Sequence, residues 1–474
     1  MAEIPYSFNK TNNIIEIRQR YEDVVSPGEH LKDCVSIAGR AMLIRRQGGL
    51  CFVTLKDQTG QIQLMAQRDK TPHFDKFIDL SFGDWIGVEG NIVKTKRGEL
   101  SVSVKEWHLL AKAVDNFGDK YHKINDVDFR YRHREADLWV NDEVRQIFLK
   151  RSKIIKLIRS YLDSLGFIEV ETPVLNPVLG GANARPFVTY HRALDSQFYL
   201  RIAPELYLKR LVVGGFEKVF EIARVFRNEG ISPRHNPEFT LLELYVAYKD
   251  YMYLMDLVES LILHLATEVN GIPEIINEDK KISLNLPWRR VEFLKAVSQK
   301  VDYPVDINMS VEKARELCSK FSCDYELSWG VGKLLLELFE KIVEPTLIEP
   351  TIIYDYPLEV SPLARPHRNN KLLVERFEVF IAGKEVVNAF SELNDPTDQQ
   401  QRFAEQLARK NAGDEEAMEI DYDYIKALRW GLPPTAGAGI GIDRLVMLLT
   451  GVSNIKDVIL FPTLKPIKVD QGND

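Results

Sequence analysis

The chain has 474 residues, 45% apolar and 28% charged, with a formal net charge of −7 and four cysteines. That composition excludes a disordered polyelectrolyte, a collagen-like repeat and a disulfide-stapled miniprotein, and no run approaches the ~18–20 apolar residues of a membrane-spanning helix. The acidic balance argues against capture of nucleic acid by bulk charge, although residues 1–112 carry a slight basic excess and the acidity lies in the rest.

The first residues lack the basic and apolar regions of a signal peptide. Cys34, Cys51, Cys318 and Cys323 have no metal-type spacing and suit a reducing cytosol, so a cytoplasmic protein without a membrane partner is expected. In chain order, 35–43, 51–56, 61–67, 85–93 and 100–109 read as β-strands separated by Gly-containing turns, with a short helix at 72–80. Five strands with a helix after the third predict an OB-fold β-barrel over 1–112, a scaffold whose middle strands bind oligonucleotides. Residues 113–140 read as a linker. Apolar residues recurring at three- and four-residue steps predict a helix over 141–165, ended by Gly166. A strand follows, broken at Pro173, which marks an edge or an interface.

Residues 219–226 and 241–247 read as strands flanking Arg227-Asn228-Glu229-Gly230-Ile231-Ser232-Pro233-Arg234-His235-Asn236-Pro237-Glu238-Phe239-Thr240. A rigid polar loop between two strands would aim Arg227, Glu229, His235 and Glu238 into one cleft suited to an anionic ligand. Residues 249–345 read as a mostly helical insertion, 374–393 return to β character, 399–411 form a polar helix, and the tail after Pro466 is expected to be loose. The fold class is α+β, with a second domain over 141–474.

Three separated signatures carry a resemblance. They are Gly166-Phe167-Ile168-Glu169-Val170-Glu171-Thr172-Pro173, the charged hairpin, and Gly437-Ala438-Gly439-Ile440-Gly441-Ile442-Asp443-Arg444-Leu445. Together with Arg201-Ile202-Ala203-Pro204-Glu205-Leu206-Tyr207 and Asn388-Ala389-Phe390-Ser391-Glu392-Leu393-Asn394, the sequence resembles the class II aminoacyl-tRNA synthetases, and within them the lysyl-tRNA synthetases of bacterial type, from about Val35 onward.

The resemblance implies lysine activation with ATP, transfer to tRNA(Lys), and a homodimer. Arg227, His235 and Arg444 would be the catalytic residues. Glu229 and Phe239 would hold the adenine, His235 and Arg444 the outer phosphates, and Glu385 would also meet the ATP. Glu378 and Glu385 would carry Mg²⁺, as hard carboxylate ligands suit that ion. Gly181, Glu205, Arg227, Glu243, Tyr245, Asn388, Phe390 and Glu392 would form the lysine site, because an ammonium stripped of water needs carboxylates and a hydroxyl in return. Arg45, Phe52 and Gln63 would read the anticodon, Phe52 by stacking and Gln63 on a base edge. The run Gly437, Gly439, Gly441 is expected to let a helix start approach the nucleotide.

Three departures from the family pattern stand out: Arg132–Leu138, a small Ala438 expected to alter the pocket floor, and a short N-terminal helix. They leave two alternatives, a paralogue lysylating another acceptor and a non-catalytic regulator that binds tRNA or nucleotide. The full β-barrel argues against the first and the intact Arg227, His235, Glu378, Glu385 and Arg444 against the second.

Overall fold

In the computed structural model, residues 4–115, 124–277, 280–411 and 417–467 are described, and they divide into two units, Met1–Asn141 and Asp142–Asp474. The N-terminal unit opens with α1 (Ile14–Tyr21), which is capped by Asn13 and Glu16, and then builds β1 (His30–Gln47), β2 (Leu50–Lys56), β3 (Gln61–Gln67), α2 (Phe74–Ile78), β4 (Trp85–Lys94) and β5 (Leu100–Ala111). The strands close into a barrel in the order β1-β2-β3-β5-β4. Alternation drives the closure: Val53 and Leu55 of β2, Ile62 and Leu64 of β3, and Ile86 and Val88 of β4 point into one core. Within 113–140, expected as a linker, stand two short helices, α3 (Val127–Arg132) and α4 (Arg134–Val140). Buried Asp137 joins them, accepting from Arg130 at 2.8 Å and Arg134 at 2.7 Å.

The second unit runs α5 (Asp142–Ser164), β6 (Ile168–Glu169), β7 (Leu175–Asn176), β8 (Val188–His191), β9 (Ser196–Leu200), α6 (Glu205–Val213), β10 (Lys218–Phe226), β11 (Glu238–Ala247), α7 (Tyr251–Asn270), β12 (Glu274–Asn277), β13 (Lys280–Ser283) and β14 (Arg289–Glu292). It continues with α8 (Phe293–Val301), α9 (Val311–Lys320), α10 (Val331–Leu338), β15 (Thr351–Tyr354), β16 (Arg376–Ile381), β17 (Lys384–Ser391), α11 (Pro396–Asn411), α12 (Tyr422–Arg429), β18 (Thr435–Gly441) and α13 (Ile442–Thr450). An eight-stranded sheet in the order β14-β15-β16-β17-β18-β11-β10-β6 is its frame, antiparallel except at its two edges. This is an α+β fold.

The sheet has two unlike faces, set by the period-2 alternation of its central strands. Leu242, Leu244 and Val246 of β11 pack with α5, α7 and α13 in the main apolar core. Phe239, Leu241, Glu243 and Tyr245 point the other way, and α6, α11 and α12 cover part of that face.

Residues 249–345 hold α7, α8, α9 and α10 together with β12, β13 and β14, and they are not external to the core. Helix α7 buries Leu254, Val258, Leu261 and Leu265 under the sheet, and β14 pairs in parallel with β15. The strand expected around 169–175 is reduced to two-residue pieces on either side of Pro173, which cannot donate to a ladder: β6 at the edge of the large sheet and β7 paired with β9. Of the C-terminal tail, residues 468–474 lie outside the described residues.

Candidate active site

A cavity of about 380 Å³ opens on the polar face of the sheet. The two strands of the hairpin are paired in strict register over nine residue pairs from Lys218↔Val246 to Phe226↔Glu238, so the loop between them is rooted in a rigid ladder. Arg227, Glu229, His235 and Phe239 line the cavity, whereas Glu238, expected in the same cleft, does not and faces Arg224 at 3.5 Å.

The Arg227 guanidinium lies 5.2 Å from the Phe239 ring centroid. Burial works against its charge, while the carboxylates of Glu229, Glu385 and Glu243 favour it. Its buried Nε has no hydrogen-bond partner, an orphan donor beside an open cavity.

Arg444, at the start of α13, donates to the Glu385 carboxylate at 3.0 Å and stands 3.3 Å from His235 Nε2. Because a guanidinium can only donate, Nε2 accepts and the His235 proton sits on Nδ1, 2.9 Å from Ser232 Oγ. Burial, and then Arg444, lower the imidazole pKa, so His235 is neutral near pH 7. Asp443 locks this end to the scaffold, accepting from Arg151 of α5 at 2.6 Å and from the Thr240 backbone at 2.7 Å.

Glu378 and Glu385 lie on either side of the β16–β17 turn at Ala382 and Gly383, both with positive φ. Strict alternation would put residues seven apart on opposite faces. A bulge between Val379 and Phe380 shifts the phase, and Glu385 is then close enough to help raise the pKa of Glu378, after burial and against Arg376. Glu378 accepts from Tyr356 at 2.8 Å and Arg376 at 2.5 Å, and only Glu385 of the two acids lines the cavity. Burial and then Glu385 and Glu378 push Glu344 up to about 7. Among the described residues no group of three or more His, Cys, Asp or Glu is arranged to hold a metal by itself. The surplus of carboxylate fits a hard divalent cation whose remaining ligands come from phosphate oxygens and water.

At the other end three carboxylates converge. Tyr245 donates to Glu243 at 3.1 Å. Burial, followed by the Glu205 carboxylate, pushes Glu243 up to about 8. Glu205 pairs with the buried ammonium of Lys209 at 2.5 Å, and that ammonium also touches Glu392. Glu392 is 1% exposed, and its Oε1 has no hydrogen-bond partner. Asn388 accepts from Arg376 at 2.9 Å, Phe390 sits 5.4 Å from the Lys209 ammonium, and Gly181 bends the cavity wall at φ +91°.

The glycine run differs from expectation. Gly437, Gly439 and Gly441 lie on strand β18, with only Gly441 at the start of α13. They bring bare backbone to the cavity between β11 and β17: a Cβ on Gly437 would stand 2.2 Å from Glu392 Oε1. Ala438 points the other way, into the apolar core, so its small side chain does not alter the pocket floor.

Sequence reasoning missed Arg376, which links Asn388 to Glu378, and also Asp443 and Lys209. Only Lys209 left a local trace, since it lies four residues after Glu205 on one helix face.

In the barrel, Phe52 is half-buried on the outer face, paired with Arg45 and Met65, while Thr54 pairs with Gln63. Arg45 lies within β1, not in the turn expected before β2, and donates to Gln63 at 2.8 Å; Gln63 in turn donates to Ser101 at 2.9 Å. The three residues therefore share one strand face.

Residues 126–465 match the family of class II tRNA synthetases (D, K and N), and residues 35–110 match the OB-fold nucleic acid binding domain. A lysine–tRNA ligase of Carboxydothermus hydrogenoformans is 49% identical over 98% of this chain and 94% of that protein. Lysine–tRNA ligases of Magnetococcus marinus (48% identical, 97% of this chain, 93% of that protein) and Parasynechococcus marenigrum (48%, 98% and 94%) are similar throughout.

Proposed function

The chain belongs to the class II tRNA synthetases and, among them, to the lysine–tRNA ligases, and from that membership we propose that it activates L-lysine with ATP and transfers the lysyl group to tRNA(Lys). The observation that carries the amino-acid choice is the Glu205–Glu243–Glu392 cluster, in which Glu392 Oε1 is buried without a donor. An unpaired buried carboxylate is unfavourable, and an incoming ammonium relieves it.

In this reading Glu243, Tyr245 and Glu392 receive the side-chain ammonium, Glu205 and the Gly181 carbonyl the α-amino group, and Asn388 the carboxylate. Phe390 lines the aliphatic stem. Arg227 holds the lysine carboxylate and the ATP α-phosphate with one planar fork. A carboxylate oxygen attacks the α-phosphorus. A C–O–P linkage forms as the bond to pyrophosphate breaks, and no side-chain nucleophile is needed. His235 and Arg444 take the outer phosphates, and Glu229 and Phe239 the adenine. The terminal ribose hydroxyl of tRNA then attacks the acyl carbon, giving up its proton as AMP leaves.

Glu378 and Glu385 are the residues that would hold Mg²⁺, which supplies charge neutralisation at the phosphate oxygens. Arg45, Phe52 and Gln63 would contact the anticodon, Phe52 by stacking. The exposed Ile168, Leu175, Val188, Tyr190 and Leu194 support a homodimer interface, and the four cysteines, none in a disulfide, support a cytoplasmic setting. No helix among the described residues is long and apolar enough to cross a membrane.

ATP–pyrophosphate exchange against a panel of amino acids tests the reading. Exchange should depend on lysine and Mg²⁺, and E392Q should raise the lysine KM sharply. Equal exchange with aspartate or asparagine would overturn it.

A further inference from the structure

Lys209 is a buried ammonium that the mechanism above does not use. It lies on α6 one turn after Glu205, is 0% exposed, and contacts carboxylates from two separate elements. Glu205 begins α6, and Glu392 follows β17. The two acids stand at opposite ends of the proposed substrate, the first with the α-amino group and the second with the side-chain ammonium. A single cation thus bridges the groups that must recognise both amines.

Its remaining surroundings are aromatic, with Phe390 at 5.4 Å and Tyr424 at 5.9 Å from ring centroid to ammonium. The Tyr424 hydroxyl is buried and faces the same ammonium. Glu243 and Tyr245 face the cluster from β11, and Arg376, which also acts on Glu205, faces it from β16. Arg376 is committed to Glu378, Asn388 and Ser361.

The charge count has a consequence. Once Glu243 is ionised, as an arriving ammonium favours, three carboxylates against one ammonium leave two negative charges, and lysine brings two ammonium groups. Without Lys209 the pocket would hold one carboxylate too many for its ligand, and one acid would have to take up a proton.

We infer that Lys209 is a positioning residue of the amino-acid site, a fixed internal counter-ion that clamps Glu205 to Glu392 and matches the pocket's charge to that of lysine. This rests on the lysine-site reading given above.

The test is lysine-dependent pyrophosphate exchange with K209Q, which keeps donors for both acids and removes the charge, and K209M, which removes both. The lysine KM should rise by about 20-fold or more while the ATP KM stays within about twofold. A purely structural lysine would instead lower the melting temperature and the active fraction, leaving the lysine KM in place.

E392Q serves as the control. If it leaves the lysine KM unaltered, the pocket reading itself falls. If E392Q responds but folded K209Q and K209M keep the lysine KM within about twofold, the Lys209 proposal alone is overturned. A ligand cycle on the unaltered enzyme needs no variant: inhibition by lysine, norleucine, 6-aminohexanoate and hexanoate. A shared counter-ion makes the losses from the two missing amines non-additive by more than about threefold, and additive losses overturn the proposal.

Discussion

Replacing Gly437 by alanine should abolish efficient lysine activation while sparing ATP binding. An added Cβ would lie 2.2 Å from Glu392 Oε1 and 2.4 Å from a Tyr245 ring carbon, far inside contact distance. Neither neighbour can retreat freely: Glu392 is 1% exposed and held by Lys209, and Tyr245 is 3% exposed and donates to Glu243. Nor can the backbone shift, since Gly437 is paired with Tyr245 on one side and Phe390 on the other. Overpacking of this kind costs about 1–3 kcal/mol, and a displaced charged hydrogen bond to the substrate about 1.5–3 kcal/mol. The two add to about 2.5–6 kcal/mol, so kcat/KM for lysine should fall by about 70-fold at the least and about 25,000-fold at the most. Pyrophosphate exchange at varied lysine and varied ATP separates the two constants. A G437A enzyme that melts normally and keeps its lysine KM would refute the placement of Glu392 and Tyr245 at the side-chain end.

The carboxyl of Glu243, pushed up to about 8, is neutral below that pH and anionic above it. The lysine KM should therefore fall as pH rises through about 8, and E243Q should flatten the profile; an unchanged slope in E243Q would assign the titration elsewhere. D443N leaves Arg151 facing a neutral amide at the junction of α5, β11 and α13, and should lower unfolding free energy by about 3 kcal/mol in a urea melt, whereas a loss below about 1 kcal/mol would make the tether incidental. F52A should raise the KM for tRNA(Lys) by about 5- to 100-fold, the worth of one stacked base, without altering exchange in the absence of tRNA. An equal fall in lysine activation would mark Phe52 as structural.

Elements whose evidence is local were legible in the sequence. The alternation in β11 separates Glu243 and Tyr245 from Leu242 and Leu244 before any partner strand is known, and the barrel strands carry their own turns. What remained hidden depends on register across distant segments. Gly437 acquires its role because β18 lies between β11 and β17, some 190 and 45 residues away. The same glycines read as a helix start because glycine has little strand preference, and only the two flanking ladders hold them extended. Strand β14 was lost in a helical stretch because its partner β15 lies some 60 residues later. Arg376 carried no local signal, and its role follows from the β16–β17 pairing that puts Glu378 opposite Asn388.

The proposed amino-acid pocket is electrostatically unfavourable without ligand, and a site for lysine requires that. Shape alone separates side chains differing by a methylene by about 10- to 200-fold, whereas a site built around a polar group rejects its absence by about 10⁴-fold or more. The second route requires groups left unsatisfied until the right ligand arrives, and Glu392 Oε1 is such a group. Burial pushes all three carboxylates toward neutrality, so without a nearby cation the cluster would protonate and lose its attraction for an ammonium. Lys209 keeps charge in the pocket, and Gly437 keeps the adjoining space open. A neutral amino acid of similar length would leave the unpaired oxygen as it was. An acidic one would add a fourth carboxylate to three. On the proposed lysine site, discrimination therefore arises from charge left unbalanced in the free enzyme, more than from the fit of the four-carbon stem.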